Sequence, residues 1–168
     1  MKIIYIFFCV FFVGCINVKK ELKILDTINY NELNIFISDS LPILVDFDEK
    51  HSDVFSQWHE ILLISNIKNI SKSDSREVNY ILSALKSDIL KINDKNIPHV
   101  LNHPQIIGRF RVLKTNILKI NLDDLSPKNI GKFKVHLKDI IISHNALVKT
   151  MNSIVNKTDE VKTINLDI

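Results

Sequence analysis

The chain has 168 residues, a formal net charge of +3, three glycines and four prolines. Its 46% apolar content suits one folded domain with one core and excludes a disordered chain, while the scarcity of glycine and proline argues against turn-rich β folds. The small net charge gives no reason to expect a polyelectrolyte partner for the chain as a whole.

The N-terminal residues predict export. Lys2 is followed by an unbroken apolar run over residues 3–13 and then by Gly14 and Cys15. A basic start, a short apolar run and a small residue at the cut site are typical of a secretory signal. The run is too short to span a bilayer, which needs about 20 helical residues. We therefore predict a signal peptide over residues 1–14.

The stretch Phe12-Val13-Gly14-Cys15 resembles a bacterial lipobox, with Phe12 where Leu is more common. The resemblance implies cleavage before Cys15 and attachment of diacylglycerol, with fatty acyl chains such as palmitate, to its thiol. Cys9 would leave with the signal, so Cys15 would be the single cysteine of the mature chain and no intrachain disulfide could form. The alternative is an ordinary signal peptide, or a short buried helix, with an incidental cysteine.

The composition, rich in Ile, Asn and Lys, together with this signal resembles the short surface lipoproteins of Borrelia-type spirochaetes, with small Bacteroidetes lipoproteins as a second comparison. The resemblance covers the signal and the general composition and no motif further along the chain. It implies a bacterial cell envelope protein held by its lipid in the outer membrane and exposed at the cell surface.

The first half of the mature chain predicts a tether and two helices. Residues 15–28 would hold the lipidated cysteine and the tether. Helical spacing of apolar residues predicts a first helix near 29–39, which Pro42 ends because proline disfavours a helical conformation in the residue before it. Residues 41–47 favour an extended piece. A second helix over 52–68 would bury Val54, Phe55, Trp58, Ile61, Leu62 and Ser65 on one side.

Three further helices follow from apolar stripes spaced alternately by four and three residues. Asp74 to Glu77 resemble a capping box before the third helix, and Ser126 with Pro127 would start the fifth. The stripes are Val78, Leu82, Leu85, Ile89 and Ile92; then Ile106, Phe110, Leu113, Ile117 and Ile120; then Ile130, Phe133, Leu137, Ile140, His144, Leu147, Met151 and Ile154.

The fifth stripe has a second apolar row, Ile141, Val148 and Val155, which predicts a central helix with two neighbours. The short breaks between the stripes favour helices that fold back within one chain. We therefore predict an all-α fold, an antiparallel four- to five-helix bundle over residues 29–156, behind the anchor and before a tail at 157–168.

The six histidines of the sequence are candidate metal ligands. His99 and His103 have the spacing of two metal ligands on one helical face. Pro98 and Pro104 bracket them, however, and no cysteine or motif glutamate accompanies them, which favours a polar loop. His144 occupies a core position, so its imidazole needs a hydrogen-bond partner, which we expect from another helix.

No catalytic signature is present in the sequence. It has no nucleophile elbow, phosphate-binding glycine loop or recognised acid pair, so we expect neither an enzyme nor a cofactor. Gly108, next to Arg109, is predicted to permit close packing of two helices rather than to bind phosphate.

A basic segment over residues 98–149 is a candidate binding surface for an anionic partner. Residues 98–149 hold nine Lys and Arg against three Asp. If helices four and five are antiparallel neighbours, their bases could form a stripe that is densest near the turn at 123–127 and binds anions. The alternative is two solvated helix faces. The candidate binding residues are Arg109, Arg111, Lys114, Lys119, Lys128, Lys132 and Lys138.

Three functions remain open from the sequence. The first is a non-catalytic binding module at the cell surface, with a host protein or a sulfated glycan as its partner. The second is a periplasm-facing structural or assembly partner in the envelope. The third is a metal-binding helical bundle, which rests on the histidines alone. Export disfavours nucleic acid as a partner.

Overall fold

The computed structural model describes residues 30–166, with only the backbone described for Asp94 and residues 159–166. Within this range all regular structure is helical and no strand occurs. The predicted all-α bundle is therefore confirmed. The predicted signal peptide, the lipobox with Cys15 and the tether lie outside the described residues.

Five α-helices and one long 3₁₀ helix make up the fold. They are α1 (Tyr30–Asp39), α2 (Ser52–Ser56), the 3₁₀ helix His59–Asn69, α3 (Val78–Lys91), α4 (Pro104–Lys119) and α5 (Ile130–Leu166). Short 3₁₀ turns lie in the connections at Glu49–His51, Asp94–Asn96, His99–Leu101 and Leu122–Asp124. Helix α5 continues beyond the boundary that the apolar period indicated at residue 156.

Helices α4 and α5 form an antiparallel hairpin. At its turn, Lys132 Nζ lies 2.9 Å from Asp124 Oδ2. Further along, Asn116 Nδ2 donates to the carbonyl of Asp139 at 3.3 Å. The buried stripes of α3, α4 and α5 are those that the spacing predicted, apart from Ile130 and Ile154, which pack against the core half-buried.

Helix α5 is central, as predicted, because it also contacts the N-terminal part of the described chain. Lys134 forms an ion pair with Glu32 of α1, and its ammonium lies 5.5 Å from the centroid of the Phe36 ring. Helix α5 therefore has α4 on one side and α1 on another.

The segment predicted as the second helix folds differently. Its side chains are buried at every third position, which is the period of a 3₁₀ helix with three residues per turn. The buried residues are Phe55, Trp58, Ile61, Ile64, Ile67 and Ile70. Leu62, which we predicted to be buried, is 44% exposed, and Ser65 is only half-buried. The prediction assumed 3.6 residues per turn and therefore chose the wrong face beyond Ile61.

The helix starts also differ from their predicted caps. Helix α3 begins at Val78, and the Asp74 carboxylate instead accepts from the backbone N–H of Arg76 at 2.9 Å, which makes a turn before the helix. Helix α5 begins at Ile130 rather than at Pro127. Helix α4 begins at Pro104, where the missing N–H of proline is tolerated.

Residues 42–48 have no regular secondary structure and form a segment, here called the strap, between α1 and the turn before α2. The strap lies along α5 and is bound to it by asparagine side chains about 100 residues further along the chain. The extended piece that the sequence favoured at residues 41–47 falls on this segment. No helix in the described range is long and apolar enough to cross a membrane.

Candidate functional site

The strap, the 3₁₀ helix and α5 line a partly open cavity of about 300 Å³, here called the strap cavity. Each of the three elements contributes side chains to its wall. The lining residues are Leu44, Val45, Asp46 and Phe47 from the strap, Leu62, Ser65 and Lys68 from the 3₁₀ helix, and His144 from α5.

Two asparagines of α5 hold the strap by its backbone. Asn145 Nδ2 donates to the carbonyl of Ile43 at 2.7 Å, and its Oδ1 accepts from the N–H of Val45 at 2.9 Å. Asn152 repeats the pattern on the carbonyl of Asp46 and the N–H of Asp48, both at 3.1 Å. Each side-chain amide therefore satisfies one carbonyl and one N–H of the strap, as a neighbouring strand would.

The spacing of these asparagines matches the strap. Asn145 and Asn152 are seven residues apart, which is about 10.5 Å along a helix. The carbonyls that they bind belong to Ile43 and Asp46, and three residues of extended chain span about 9–10 Å. Beyond the strap, Asn156 Oδ1 lies 2.8 Å from Nε2 of the buried His51. This side of the strap cavity is consequently fixed in place before any ligand binds.

His144 contributes a buried imidazole to the cavity wall. The residue is only 6% exposed, and its burial lowers its pKa, against the opposing effects of Asn145 and the charge of Asp46. The imidazole is therefore neutral at pH 7. Its Nδ1 lies 3.5 Å from Oδ1 of Asn145, so the expectation of a partner from another helix is wrong.

The strap cavity has three further polar residues, one acidic, one basic and one with a hydroxyl group. Asp46 and Lys68 are exposed at its rim, and Ser65 is half-buried between the 3₁₀ helix and the strap. The apolar part of the wall includes Phe47, whose ring packs on the buried Phe55 with 4.9 Å between centroids. A cavity with an apolar wall and a few polar groups is the usual form of a small-molecule site.

Sequence reasoning identified His144 but missed the strap cavity. The available signal was the pair Asn145 and Asn152, polar residues seven apart and beside the apolar stripe of α5. Such a pair is also typical of an exposed helix face, so the sequence alone could not assign it to the strap.

The predicted basic residues lie on different sides of the hairpin. Arg109 lines a groove of about 520 Å³ between α4 and α5, together with Gln105, Val112 and Thr150. Lys119 and Lys128 are exposed near the hairpin turn, where Lys132 is paired with the buried Asp124. Of these four bases, Arg109 lines the hairpin groove, and Lys119, Lys128 and Lys132 lie toward the turn.

The other predicted bases lie elsewhere. Arg111 and Lys114 line a hollow of about 390 Å³ against the C-terminal end of α3. There the Lys114 ammonium donates to the carbonyl of Ile92 at 3.4 Å and lies 6.0 Å from the Phe110 ring centroid. Lys138 is exposed and precedes Asn145 by seven residues on α5, so it shares the strap side of that helix.

Gly108 does not serve close helix packing, and that prediction is wrong. The residue is exposed, and a Cβ atom placed on it would meet no heavy atom within 4 Å. It borders the open hairpin groove next to Arg109 instead.

The paired histidines lie at the start of α4. His99 begins the turn His99–Leu101, and both His99 and His103 are exposed. The backbone N–H of Gln105 donates to His103 Nδ1 at 3.4 Å, so this imidazole caps α4. Among the described side chains, no group of three or more His, Cys, Asp or Glu is arranged to hold a metal ion.

Comparison with known proteins found no match for this chain among family models, curated proteins or solved structures.

Proposed function

We propose that this protein is a lipid-anchored, non-catalytic binding module on the surface of a bacterial cell, and that it binds a sulfated glycan or an acidic region of a host protein. The signal with Cys15 supports the location. The observation that carries the binding role is the exposure of three bases on the α4–α5 hairpin, Arg109 at its groove and Lys119 and Lys128 near its turn.

Helical spacing places two of these bases, Arg109 and Lys119, toward the same side of α4. Arg109 lines the hairpin groove, and Asn116, seven residues later on α4, donates to Asp139 of α5. Lys119 follows Asn116 by three residues and therefore lies on the same side of α4. Lys128 comes just before α5, across the turn.

The bases are available to an anion and are spread along a line. None of Arg109, Lys119 and Lys128 forms an ion pair with another described residue, whereas Lys132 is already paired with Asp124. Arg109 and Lys119 are ten residues apart, about 15 Å along the helix. A linear polyanion can reach both, and a single small anion cannot. Because Asp123 and Asp139 lie nearby, we expect weak and salt-dependent binding.

Heparin chromatography of the full-length chain in detergent tests this proposal. The unmutated protein should be retained at low salt, beyond what its net charge of +3 explains. The variant with Arg109→Gln, Lys119→Gln and Lys128→Gln should lose most of the retention. The control, Lys72→Gln, Lys95→Gln and Lys138→Gln, removes the same charge from exposed positions away from the groove and should keep it.

Two results would contradict the proposal that this surface binds a sulfated glycan. Equal losses in both triple variants would show a response to net charge alone. Elution of the unmutated protein in the void volume at low salt would discard sulfated glycans and leave a protein partner as the better proposal.

The anchor has its own test in cells. Cys15→Ala should abolish incorporation of labelled fatty acid, because Cys9 would leave with the signal and no other thiol would remain to accept lipid. Labelling that persists in this variant would contradict the lipobox. Protease treatment of intact cells should then degrade the lipidated protein, while full protection would favour the periplasm-facing assembly role.

A further inference from the structure

The strap cavity shares no lining residue with the hairpin groove of the proposed glycan surface, and its chemistry is different. Its rim holds one acid, Asp46, and one base, Lys68, with the Ser65 hydroxyl beside them in the wall. The neutral His144 adds no charge. A ligand that carries a single charge would meet a like charge on one side of this rim, whereas a ligand with both charges can pair with both.

The size of the cavity limits the ligand. About 300 Å³ is the lower end of the range for small-molecule sites. That volume suits one small amphipathic molecule.

The remaining wall defines the rest of the ligand. Leu44, Phe47 and Leu62 present apolar side chains to the cavity. Phe47 is held by its contact with the buried Phe55, and the strap backbone is held by Asn145 and Asn152. The apolar surface is therefore in position without the ligand, which reduces the entropy that binding would cost.

We propose that the strap cavity binds a free apolar α-amino acid. The ligand ammonium pairs with the Asp46 carboxylate, the ligand carboxylate pairs with the Lys68 ammonium and accepts from the Ser65 hydroxyl, and the ligand side chain packs on Leu44, Phe47 and Leu62. Amino acids with charged side chains are rejected because their extra charge would be placed against the apolar wall.

Calorimetry and thermal unfolding of the full-length chain in detergent test the site, with each of the L-amino acids added singly. Leucine, methionine and phenylalanine should raise the midpoint of unfolding by about 2–4 °C at about five times the dissociation constant. Aspartate, glutamate, lysine and arginine should leave the midpoint unchanged.

Two modified ligands assign the charges. L-Leucinamide lacks the carboxylate, and N-acetyl-L-leucine lacks the ammonium. Each should bind at least about tenfold more weakly than leucine. In the Lys68→Gln variant, leucine should weaken about tenfold while leucinamide changes little, because its affinity does not depend on that ammonium. Asp46→Asn should behave in the same way toward N-acetyl-leucine.

Matched controls separate this site from general effects. Lys72→Gln and Asp53→Asn make the same changes at exposed positions outside the cavity and should bind leucine normally. Because Asp46 and Lys68 are exposed, their variants should keep the helical circular dichroism spectrum.

The inference is overturned if no amino acid shifts the unfolding midpoint, if N-acetyl-leucinamide binds as well as leucine, or if the controls weaken binding as much as the site variants. None of these results bears on heparin retention, so this proposal and the glycan proposal fail separately.

Discussion

At the scale of single residues, His144 belongs both to the core stripe of α5 and to the wall of the strap cavity. It occupies a position of the α5 stripe where an aliphatic side chain would pack as well, and it is buried there. Burial opposes the charged form of an imidazole, which lowers the pKa of His144, while Asn145 and Asp46 act in the opposite direction. The residue therefore makes folding sensitive to acid.

The sign of this effect follows from proton binding. In the unfolded chain a histidine takes up a proton near pH 6.5, but the folded chain resists protonation of His144 until a lower pH. The unfolded state thus binds more protons below about pH 6.5, and stability falls as the pH is lowered through that value.

We expect His144→Gln to remove this part of the pH dependence. Between pH 7 and pH 5 the free energy of unfolding should fall less steeply in the variant, by at most about 1.4 kcal/mol per pH unit, the value for one proton. Above pH 7.5 the two curves should run parallel, since neither state then binds the proton. Urea unfolding at a series of pH values measures both slopes. Equal slopes below pH 7 would show that His144 titrates alike in both states.

At the scale of elements, the sequence predicted some helices well and one badly. The stripes of α3, α4 and α5 alternate intervals of four and three, which only a helix of 3.6 residues per turn brings to one face. The region after Trp58 contains four consecutive apolar residues, 61–64, so periods of 3.6 and 3 both fit it. The structure shows a period of 3 there, and Trp58, directly before this helix, packs on Phe110 of α4 with 5.5 Å between ring centroids.

Two substitutions distinguish the two periods. Ile64 is fully buried in the 3₁₀ arrangement, whereas Leu62 is largely exposed. We expect Ile64→Ala to lower the free energy of unfolding by about 2–5 kcal/mol, the range for a large-to-small change in a core. Leu62→Ala should cost less than about 1 kcal/mol.

Tryptophan fluorescence can follow the unfolding of both alanine variants. Trp58 is the only tryptophan of the sequence, and it is fully buried directly before this 3₁₀ helix. Its fluorescence during chemical unfolding gives both free energies. A larger loss for Leu62→Ala than for Ile64→Ala would instead support a regular α-helix over residues 52–68.

At the scale of the whole molecule, the strap joins the two ends of the described chain. Val45 and Asn145 are 100 residues apart in the sequence. The pairs Asp48–Asn152 and His51–Asn156 are 104 and 105 residues apart. Contacts of this kind leave no periodic trace in the sequence, because a polar side chain that binds a distant backbone looks the same as one that faces water. For this reason the bundle could be predicted and the strap cavity could not.

The asparagine contacts also determine whether the strap cavity exists. The strap has no internal hydrogen-bond ladder, so its position depends on Asn145 and Asn152 and on the burial of its side chains. Each asparagine makes two hydrogen bonds to the strap backbone, and each bond contributes about 0.5–1.5 kcal/mol net. We expect Asn145→Ala and Asn152→Ala each to lower the free energy of unfolding by about 1–3 kcal/mol, and Asn66→Ala, at an exposed position of the 3₁₀ helix, to have little effect.

Amide hydrogen exchange shows where the structure opens in these variants. Exchange at Val45 should accelerate in Asn145→Ala, and exchange at Asp48 should accelerate in Asn152→Ala, because those N–H groups lose their acceptors. Amides in the middle of α3 and α4 should keep their protection. If the strap amides exchange as fast in the unmutated protein as in the variants, the strap is not held by α5. The cavity wall would then form only when the amino-acid ligand binds, and the strap would become ordered as a result of that binding.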